Sequence, residues 1–170
     1  CYALKEIDFS DFTKISAMNG MGKSTIANAY MWLFFNCDYE LRDNQTVRRE
    51  VDGKTIDDVD VSVTAVIDMN GKEITAKKVQ KRTYSKDGTS CKDDNKYFIN
   101  DVPKTLKDFN VYLDVDMNVF KMCSNVNTFL NQKPAEMREY LFGLVGDVTD
   151  LDIASQKAEL AELVPMLNKY

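Results

Sequence analysis

The sequence of 170 residues predicts a mixed α/β fold, and three observations carry that prediction. A glycine-rich turn at residues 19–25 precedes an apolar run at 26–35 whose spacing is helical. Apolar and polar residues alternate at 59–67, and the Asn70-Gly71 pair that follows is a strong signal for a β-hairpin. Helix-start signals then occupy the last third of the chain. Because a hairpin follows the first helix, we expect a mixed and antiparallel sheet around that helix, not a doubly wound parallel one.

The composition supports one domain with a real core, since 44% of the residues are apolar and 11% are aromatic. Acidic residues outnumber basic ones, 27 to 22, which gives a formal net charge of -5. This balance argues against a broad basic surface for nucleic acid, but it leaves a local basic groove open.

The residue types present limit metal and histidine chemistry. The chain has no histidine, and its four cysteines, Cys1, Cys37, Cys91 and Cys123, are far apart with no Cys-x-x-Cys pair. The sequence therefore excludes zinc-finger spacing and any histidine-based catalytic group. Scattered cysteines suit a reducing cytosol, and no apolar run reaches the ~18 residues of a membrane span. We expect a cytoplasmic protein without membrane contact.

The glycine-rich turn has the spacing of a phosphate-binding loop, or P-loop: a small residue, four positions, then Gly-Lys-Ser. Gly20 and Gly22 allow successive backbone N–H groups to point at phosphate oxygens, where a side chain would obstruct them. Lys23, the predicted catalytic residue, can reach the β- and γ-phosphates, and the Ser24 hydroxyl can bind Mg²⁺. The helix that starts here adds the positive end of its dipole. The predicted nucleotide-binding residues are Ala17, Met18, Asn19, Gly20, Met21, Gly22, Lys23, Ser24 and Thr25.

Two short strands are predicted before this loop. Residues 4–9 alternate apolar and polar side chains, and residues 12–17 can enter the loop as a strand. After the helix, residues 36–55 are polar and charged, with arginines near Asp43 and Asn44. This segment is either an exposed connection or a cover over the nucleotide base or ribose.

The second strand of the hairpin is predicted at residues 73–84 and is basic within an acidic chain. It carries Lys77, Lys78, Lys81 and Arg82. One interpretation is an edge strand that its lysines protect from pairing. The other interpretation is a contact with nucleic acid.

Turn and cap signals predict the elements that follow the hairpin. Residues 85–95 are predicted as a loop and residues 97–99 as a short strand that turns at Asn100 and Asp101. Thr105 can cap the next helix, whose apolar positions are Leu106, Phe109 and Leu113.

The last third is predicted to hold one more strand and two helices. Residues 119–123 are interpreted as a short strand. Pro134 can open a helix that Gly146 closes. Thr149, with a carboxylate three residues later, forms a capping box for a helix that runs through Leu163 until a proline ends or kinks it.

The motif and its surroundings resemble a known group of ATPases. Residues 19–25, Asn-Gly-Met-Gly-Lys-Ser-Thr, match the NGxGKST form of the P-loop in SMC, RecF, RecN and SbcC-type ATPases, and residues 26–35 resemble the helix that follows it there. The likeness covers nearly the whole chain and is greatest to the SbcC-like DNA-repair ATPases often encoded by phages and prophages. Its further blocks lie at residues 4–9, 51–54, 97–103 and 138–147.

This resemblance implies an ABC-type head whose N-terminal lobe carries the P-loop, or Walker A motif. That lobe is expected at residues 1–147, with its hairpin at about 58–84, and residues 148–170 are expected to be a helix that leads toward a coiled coil. The family's signature motif, acidic Walker B strand and switch histidine belong to a C-terminal lobe beyond that coiled coil. The chain is therefore expected to be the N-terminal half of such a head.

The resemblance also implies the activity, with ATP and Mg²⁺ as cofactors. The complete protein is expected to bind Mg-ATP between two heads and hydrolyse it, coupled to DNA repair, recombination or DNA end processing. The expected partners are the C-terminal half of the same head, a second head, DNA and a nuclease subunit, and this half alone is expected to be inactive. Two alternatives stay open: a nucleotide-dependent structural clamp with little hydrolysis, and a P-loop kinase, for which no convincing basic lid is present.

One position departs from the family pattern. Members usually carry a glutamine in the loop after the strand that residues 119–123 match, and this sequence has Ser124 and Asn125 there, with Gln132 further along. Either Asn125 replaces that glutamine as a second Mg²⁺ contact beside Ser24, or the alignment shifts.

Overall fold

The computed structural model describes residues 5–43, 47–57, 59–145 and 149–167. The chain divides into two compact units, Cys1–Asn125 and Val126–Tyr170. This division falls between residues 125 and 126, and the lobe boundary expected between residues 147 and 148 stays a prediction.

The first unit contains helix α1, Lys23–Phe35, which confirms the helix predicted after the glycine-rich turn. Its buried side chains are Met31, Trp32, Leu33 and Phe34. All of them lie in the C-terminal half of the helix, so this half is the one held in the core. The N-terminal half begins at the exposed loop.

Two antiparallel sheets follow α1 in the first unit. A small sheet pairs β1, Glu50–Val51, with β2, Lys54–Thr55. The larger sheet has the order β3-β4-β5-β6, with every neighbouring pair antiparallel. Its strands are β3 (Val61–Met69), β4 (Lys72–Tyr84), β5 (Cys91–Ile99) and β6 (Val102–Lys104).

The predicted hairpin is confirmed. Asn70 and Gly71 have φ of 56° and 81°, the pair of positive values that defines a type I′ turn. Asn100 and Asp101, with φ of 49° and 62°, make the second such turn, between β5 and β6. Along β3 the side chains alternate between half-buried and exposed, as the sequence pattern predicts for a strand with one covered face.

Helix α2, Leu106–Leu113, completes the core of the first unit. Its predicted cap is confirmed, because Thr105 Oγ1 accepts a hydrogen bond of 3.1 Å from the backbone N–H of Asp108. Phe109 is fully buried, and its ring centroid lies 5.3 Å from that of Tyr97 on β5. The core cluster consists of Leu33, Phe34, Ile74, Ala76, Tyr97, Ile99, Phe109 and Leu113.

The two strands predicted before the loop are wrong for the residues described. Residues 5–18 form no strand, and all but one of them are exposed. A strand exists through hydrogen bonds to a neighbour, and both described sheets are complete without this segment. The alternating pattern alone therefore did not produce a strand here.

The prediction that the basic strand lies at an edge is also wrong. β4 pairs with β3 on one side and with β5 on the other, so it is central. Lys78 is fully buried there, and Arg82 lies among acidic side chains. The predicted loop at 85–95 is shorter than expected, since β5 begins at Cys91 and pairs Asp93 with Arg82.

Residues 119–123, predicted as a strand, belong instead to helix α3, Met117–Ser124. Asp116 caps this helix, because its Oδ1 accepts from the backbone N–H of Asn118 at 2.8 Å and of Val119 at 3.2 Å. Asp116 offered the N-cap signal that the strand interpretation overlooked.

The second unit is helical in its described part. It contains α4 (Val126–Leu130), α5 (Pro134–Val145), α6 (Asp150–Gln156), a 3₁₀ helix (Ala158–Leu163) and α7 (Val164–Leu167). The start at Pro134 and the capping box of Thr149 with Asp152 are confirmed. The predicted cap Gly146 lies outside the described residues.

The helix predicted to continue through Leu163 is interrupted earlier. Lys157 adopts an extended conformation, with φ -117° and ψ 117°, and ends α6. Pro165 then lies in the first turn of α7, where a missing backbone N–H costs little. None of the described helices is long and apolar enough to cross a membrane.

Candidate functional site

The glycine-rich turn forms an exposed loop at the N-terminal end of α1. Gly20 and Gly22 have φ of 81° and 85°, a left-handed conformation that other residues adopt at a cost. The backbone N–H of Met21 donates a 3.3 Å hydrogen bond to Met18 O and closes the turn. The two glycines thus adopt the backbone conformation that the sequence predicts for this turn.

The start of α1 lacks the groups that usually stabilise a helix N-terminus. No side chain caps it, and its first turn contains no acidic residue. The first N–H groups of a helix have no partner within the helix and form the positive end of its dipole. An anion at this end would satisfy both the hydrogen-bond donors and the dipole.

Lys23 adds a second positive charge at the same end of α1. Its Nζ donates to the carbonyl oxygens of Ala17 at 2.6 Å and Met18 at 2.9 Å. A cation in the first helical turn is unfavourable unless an anion accompanies it. The loop therefore gathers positive charge around its backbone, which is the environment that a phosphate group requires.

The structure places all predicted nucleotide-binding residues in this loop and in the first turn of α1. The side chains of Ser24 and Thr25 are exposed, and Lys23 is half-buried against the loop carbonyls. The Ser24 hydroxyl is thus accessible to a metal ion that accompanies a phosphate. Glycine backbone, lysine and hydroxyl fit the phosphates of a nucleotide with Mg²⁺.

Asn125, the other predicted metal contact, is buried at the end of α3. Its Nδ2 donates a 2.7 Å hydrogen bond to the backbone O of Tyr39. The backbone N–H of Tyr39 in turn donates to Oδ1 of Asn28, on α1, at 3.0 Å. We call this arrangement the Tyr39 bridge; it connects α1 with the residue after α3, and the metal role of Asn125 stays a prediction.

A second contact joins the same two helices. The hydroxyls of Tyr30 on α1 and Ser124 on α3 are 2.8 Å apart, and Ser124 Oγ also donates to Phe120 O at 2.7 Å. Burial raises the pKa of Tyr30, while the hydrogen bond with Ser124 acts in the opposite direction. Sequence reasoning missed these contacts, because nothing in the local pattern at Asn28 or Tyr30 indicates a partner so distant in the chain.

The segment after α1 is more ordered than an exposed connection. Cys37 and Asp38 are buried, and Arg42 binds the Asp38 carboxylate at 2.6 Å, which lowers the pKa of Asp38 although burial opposes this. Arg48 is buried as well and donates to the carbonyl oxygens of Val59 at 2.8 Å and Gln80 at 3.1 Å. Asn44, predicted in the same segment, lies outside the described residues.

Most cations of the basic strand are engaged within the fold. Arg82 forms salt bridges of 2.7 Å with Asp57 and with Asp93, and its pKa is raised, mainly by the hydrogen bond to Asp93. Lys81 lies 3.1 Å from Asp60. Lys78 is buried. Among the described residues, Lys77 is therefore the one predicted basic residue of β4 that has neither a carboxylate partner nor a buried position.

The comparisons with known proteins identify a family. A family model described as an AAA domain matches residues 1–164. No curated protein and no solved structure gives a match. The match spans the P-loop and the mixed α/β fold with antiparallel sheets described above, and members of this family are P-loop ATPases that use ATP and Mg²⁺. The chain therefore belongs to the AAA domain family, with an ATPase-type function.

Proposed function

We propose that the chain is the ATP-binding N-terminal half of an SMC- and SbcC-like ATPase head that couples Mg-ATP binding and hydrolysis to DNA repair, recombination or DNA end processing. The ATP-binding part of this proposal rests on the uncapped start of α1 and on Lys23, the first residue of that helix. Family membership supports an ATPase-type function. The DNA-related part rests on the resemblance of residues 19–35 to that group of ATPases.

Each residue of the loop has a role in this proposal. The backbone N–H groups of residues 19–25 hold the β-phosphate, and Lys23 leaves the carbonyls of Ala17 and Met18 to neutralise charge on the γ-phosphate. Ser24 holds Mg²⁺, with Asn125 as the proposed second contact. A metal ion held by these residues would supply neutralisation of the charge that develops on the phosphates during transfer. Positioning and electrostatic stabilisation supply most of the catalysis in such sites.

The proposed partners complete the site. The C-terminal half of the same head supplies the general base that activates water, and a second head closes over the nucleotide. DNA and a nuclease subunit bind the complete assembly. This chain alone is then expected to bind nucleotide weakly and to hydrolyse it slowly or not at all.

Titration calorimetry with Mg-ATP tests the proposal on the wild type, Lys23→Ala and Lys14→Ala. Lys14 is an exposed lysine in the segment that precedes the loop, so its removal controls for the loss of one positive charge nearby. We expect saturable binding by the wild type and by Lys14→Ala, and none by Lys23→Ala. Equal binding by all three proteins, or none by the wild type, would contradict the ATP-binding role of this chain.

A further inference from the structure

Lys78 is a fully buried lysine at the centre of the larger sheet of the first unit. Its Nζ donates a 2.7 Å hydrogen bond to the backbone O of Trp32 and a short one to Oδ1 of Asn36. The same Nζ lies 4.1 Å from the centroid of the Trp32 ring and 5.4 Å from that of Tyr97. Lys78 thus connects the central strand β4 with the C-terminal end of α1.

A cation stabilises the C-terminal end of α1. The last carbonyl groups of a helix have no partner within the helix and form the negative end of its dipole. The last turn of α1 contains no basic residue, and Asn36 ends the helix in a left-handed conformation with φ of 62°. Among the described residues, no carboxylate forms a salt bridge with Lys78, so the helix end and two aromatic rings take the place of a counter-ion.

We propose that Lys78 is a positioning residue for the P-loop: by capping the C-terminal end of α1 it fixes this helix against the sheet and thereby fixes the loop at the other end. α1 is a single helix of 13 residues, and only its C-terminal half has buried side chains. Lys78 thus binds α1 in the half that lies in the core, while Asn28 and Tyr30 contact Tyr39 and Ser124. The consequence for nucleotide binding rests on the proposed function; the capping contact itself does not.

The charge of Lys78 can be followed as the pH changes, because few of the described titratable groups face its side chain. Burial lowers the pKa of Lys78 to about 7, and the side chain of Cys37 acts in the opposite direction. The groups that face it from the packed elements are Asn36, which follows α1, Tyr97 on β5 and Cys37. Burial raises the pKa of Tyr97 and of Cys37. Lys121, Asp38 and Asp43 act on Cys37. The sequence has no histidine, the residue that would otherwise titrate near neutral pH.

Trp32 provides a specific optical signal for this contact, because it is the only tryptophan of the chain. We expect its fluorescence to change with pH in the wild type, with a midpoint near 7. The change should be absent in Lys78→Met and present in Lys77→Met, which makes the same replacement at the adjacent, half-buried position of β4. Emission spectra that are the same in Lys78→Met as in the wild type at every pH would overturn the contact of Lys78 with the Trp32 ring and the helix end.

Hydrogen–deuterium exchange and Mg-ATP titration then test the positioning role on the same three proteins. We expect faster exchange of the α1 amides in Lys78→Met only, and an affinity for Mg-ATP that is weaker by about tenfold, as for residues that act through a packed element. Unchanged exchange and affinity in Lys78→Met would refute the positioning role. If no protein binds Mg-ATP, the proposed function fails, while exchange and fluorescence still decide the role of Lys78. Lys78→Gln, which keeps a donor without the charge, serves if the methionine variant does not fold.

Discussion

Replacing Gly20 with alanine separates the backbone conformation of the glycine-rich loop from the proposed binding of phosphate. Gly20 has φ of 81°, and a Cβ at this position would meet no atom within 4 Å. The folded chain therefore has room for the methyl group, and the cost to stability arises from the left-handed backbone alone. For an L-residue that cost is about 1–2 kcal/mol. At roughly 2–4 °C per kcal/mol for a protein of this size, the melting temperature should fall by about 2–8 °C.

Gly88 offers a matched control for this substitution. It lies in the exposed turn between β4 and β5 with φ of 70°, and a Cβ there would also meet no atom within 4 Å. Gly88→Ala should therefore lower the melting temperature by a similar amount. Its turn is remote in sequence from the loop and takes no part in the proposed phosphate site.

Titration calorimetry with Mg-ATP then distinguishes the two variants. We expect Gly20→Ala to bind at least about tenfold more weakly than the wild type, which corresponds to ~1.4 kcal/mol, because its methyl group would lie where the backbone approaches the phosphate. Gly88→Ala should bind within about twofold of the wild type. If both variants bind like the wild type, or if both lose the same affinity, the loop does not hold phosphate through its backbone.

Three further predictions concern stability. Phe109→Ala removes a fully buried ring from the core and should lower the free energy of unfolding, measured in urea, by about 3–5 kcal/mol. Val111→Ala on the exposed face of the same helix should change it by less than about 0.5 kcal/mol. Similar losses in the two variants would contradict the burial of Phe109 in the core. Thr149→Ala removes the hydroxyl that accepts from the backbone N–H of Asp152 in the capping box and should cost about 1 kcal/mol, with faster amide exchange confined to α6. Ser155→Ala on the same helix is its control. The pKa of Lys78 is lowered in the folded state, so the unfolded chain binds a proton that the folded chain lacks above pH 7, and stability should rise from pH 7 to 8.5. The wild type should show this rise relative to Lys78→Met, and parallel pH profiles of the two proteins would refute it.

Local chemistry made part of this fold predictable. The turn at Asn70 and Gly71, the cap at Thr105, the helix start at Pro134 and the capping box at Thr149 each follow from a residue or pair that favours one backbone conformation. The P-loop belongs to the same class, since its spacing specifies both the glycine conformations and the helix that follows.

The errors concern features that depend on distant parts of the chain. Residues 4–9 alternate like a strand and residues 12–17 can enter the loop as one, yet a strand also requires a neighbour with which to pair. The lysines of β4 indicate an edge strand until the helix end, the aromatic rings and Asp60 are seen beside them. The short helix α3 depends on Asp116, whose capping role competes with a strand pattern only four or five residues long.

The Tyr39 bridge has a consequence for the order of folding. The backbone N–H of Tyr39 donates to Asn28, and the backbone carbonyl of Tyr39 accepts from Asn125, which lies 86 residues after Tyr39 in the sequence. Closing so long a loop costs entropy, so such a contact is expected to form late. An interaction that is absent from the transition state slows unfolding without speeding folding. Stopped-flow kinetics of Asn125→Ala should therefore show faster unfolding at an unchanged folding rate, and the connection between the two helices would then govern how long the folded state persists.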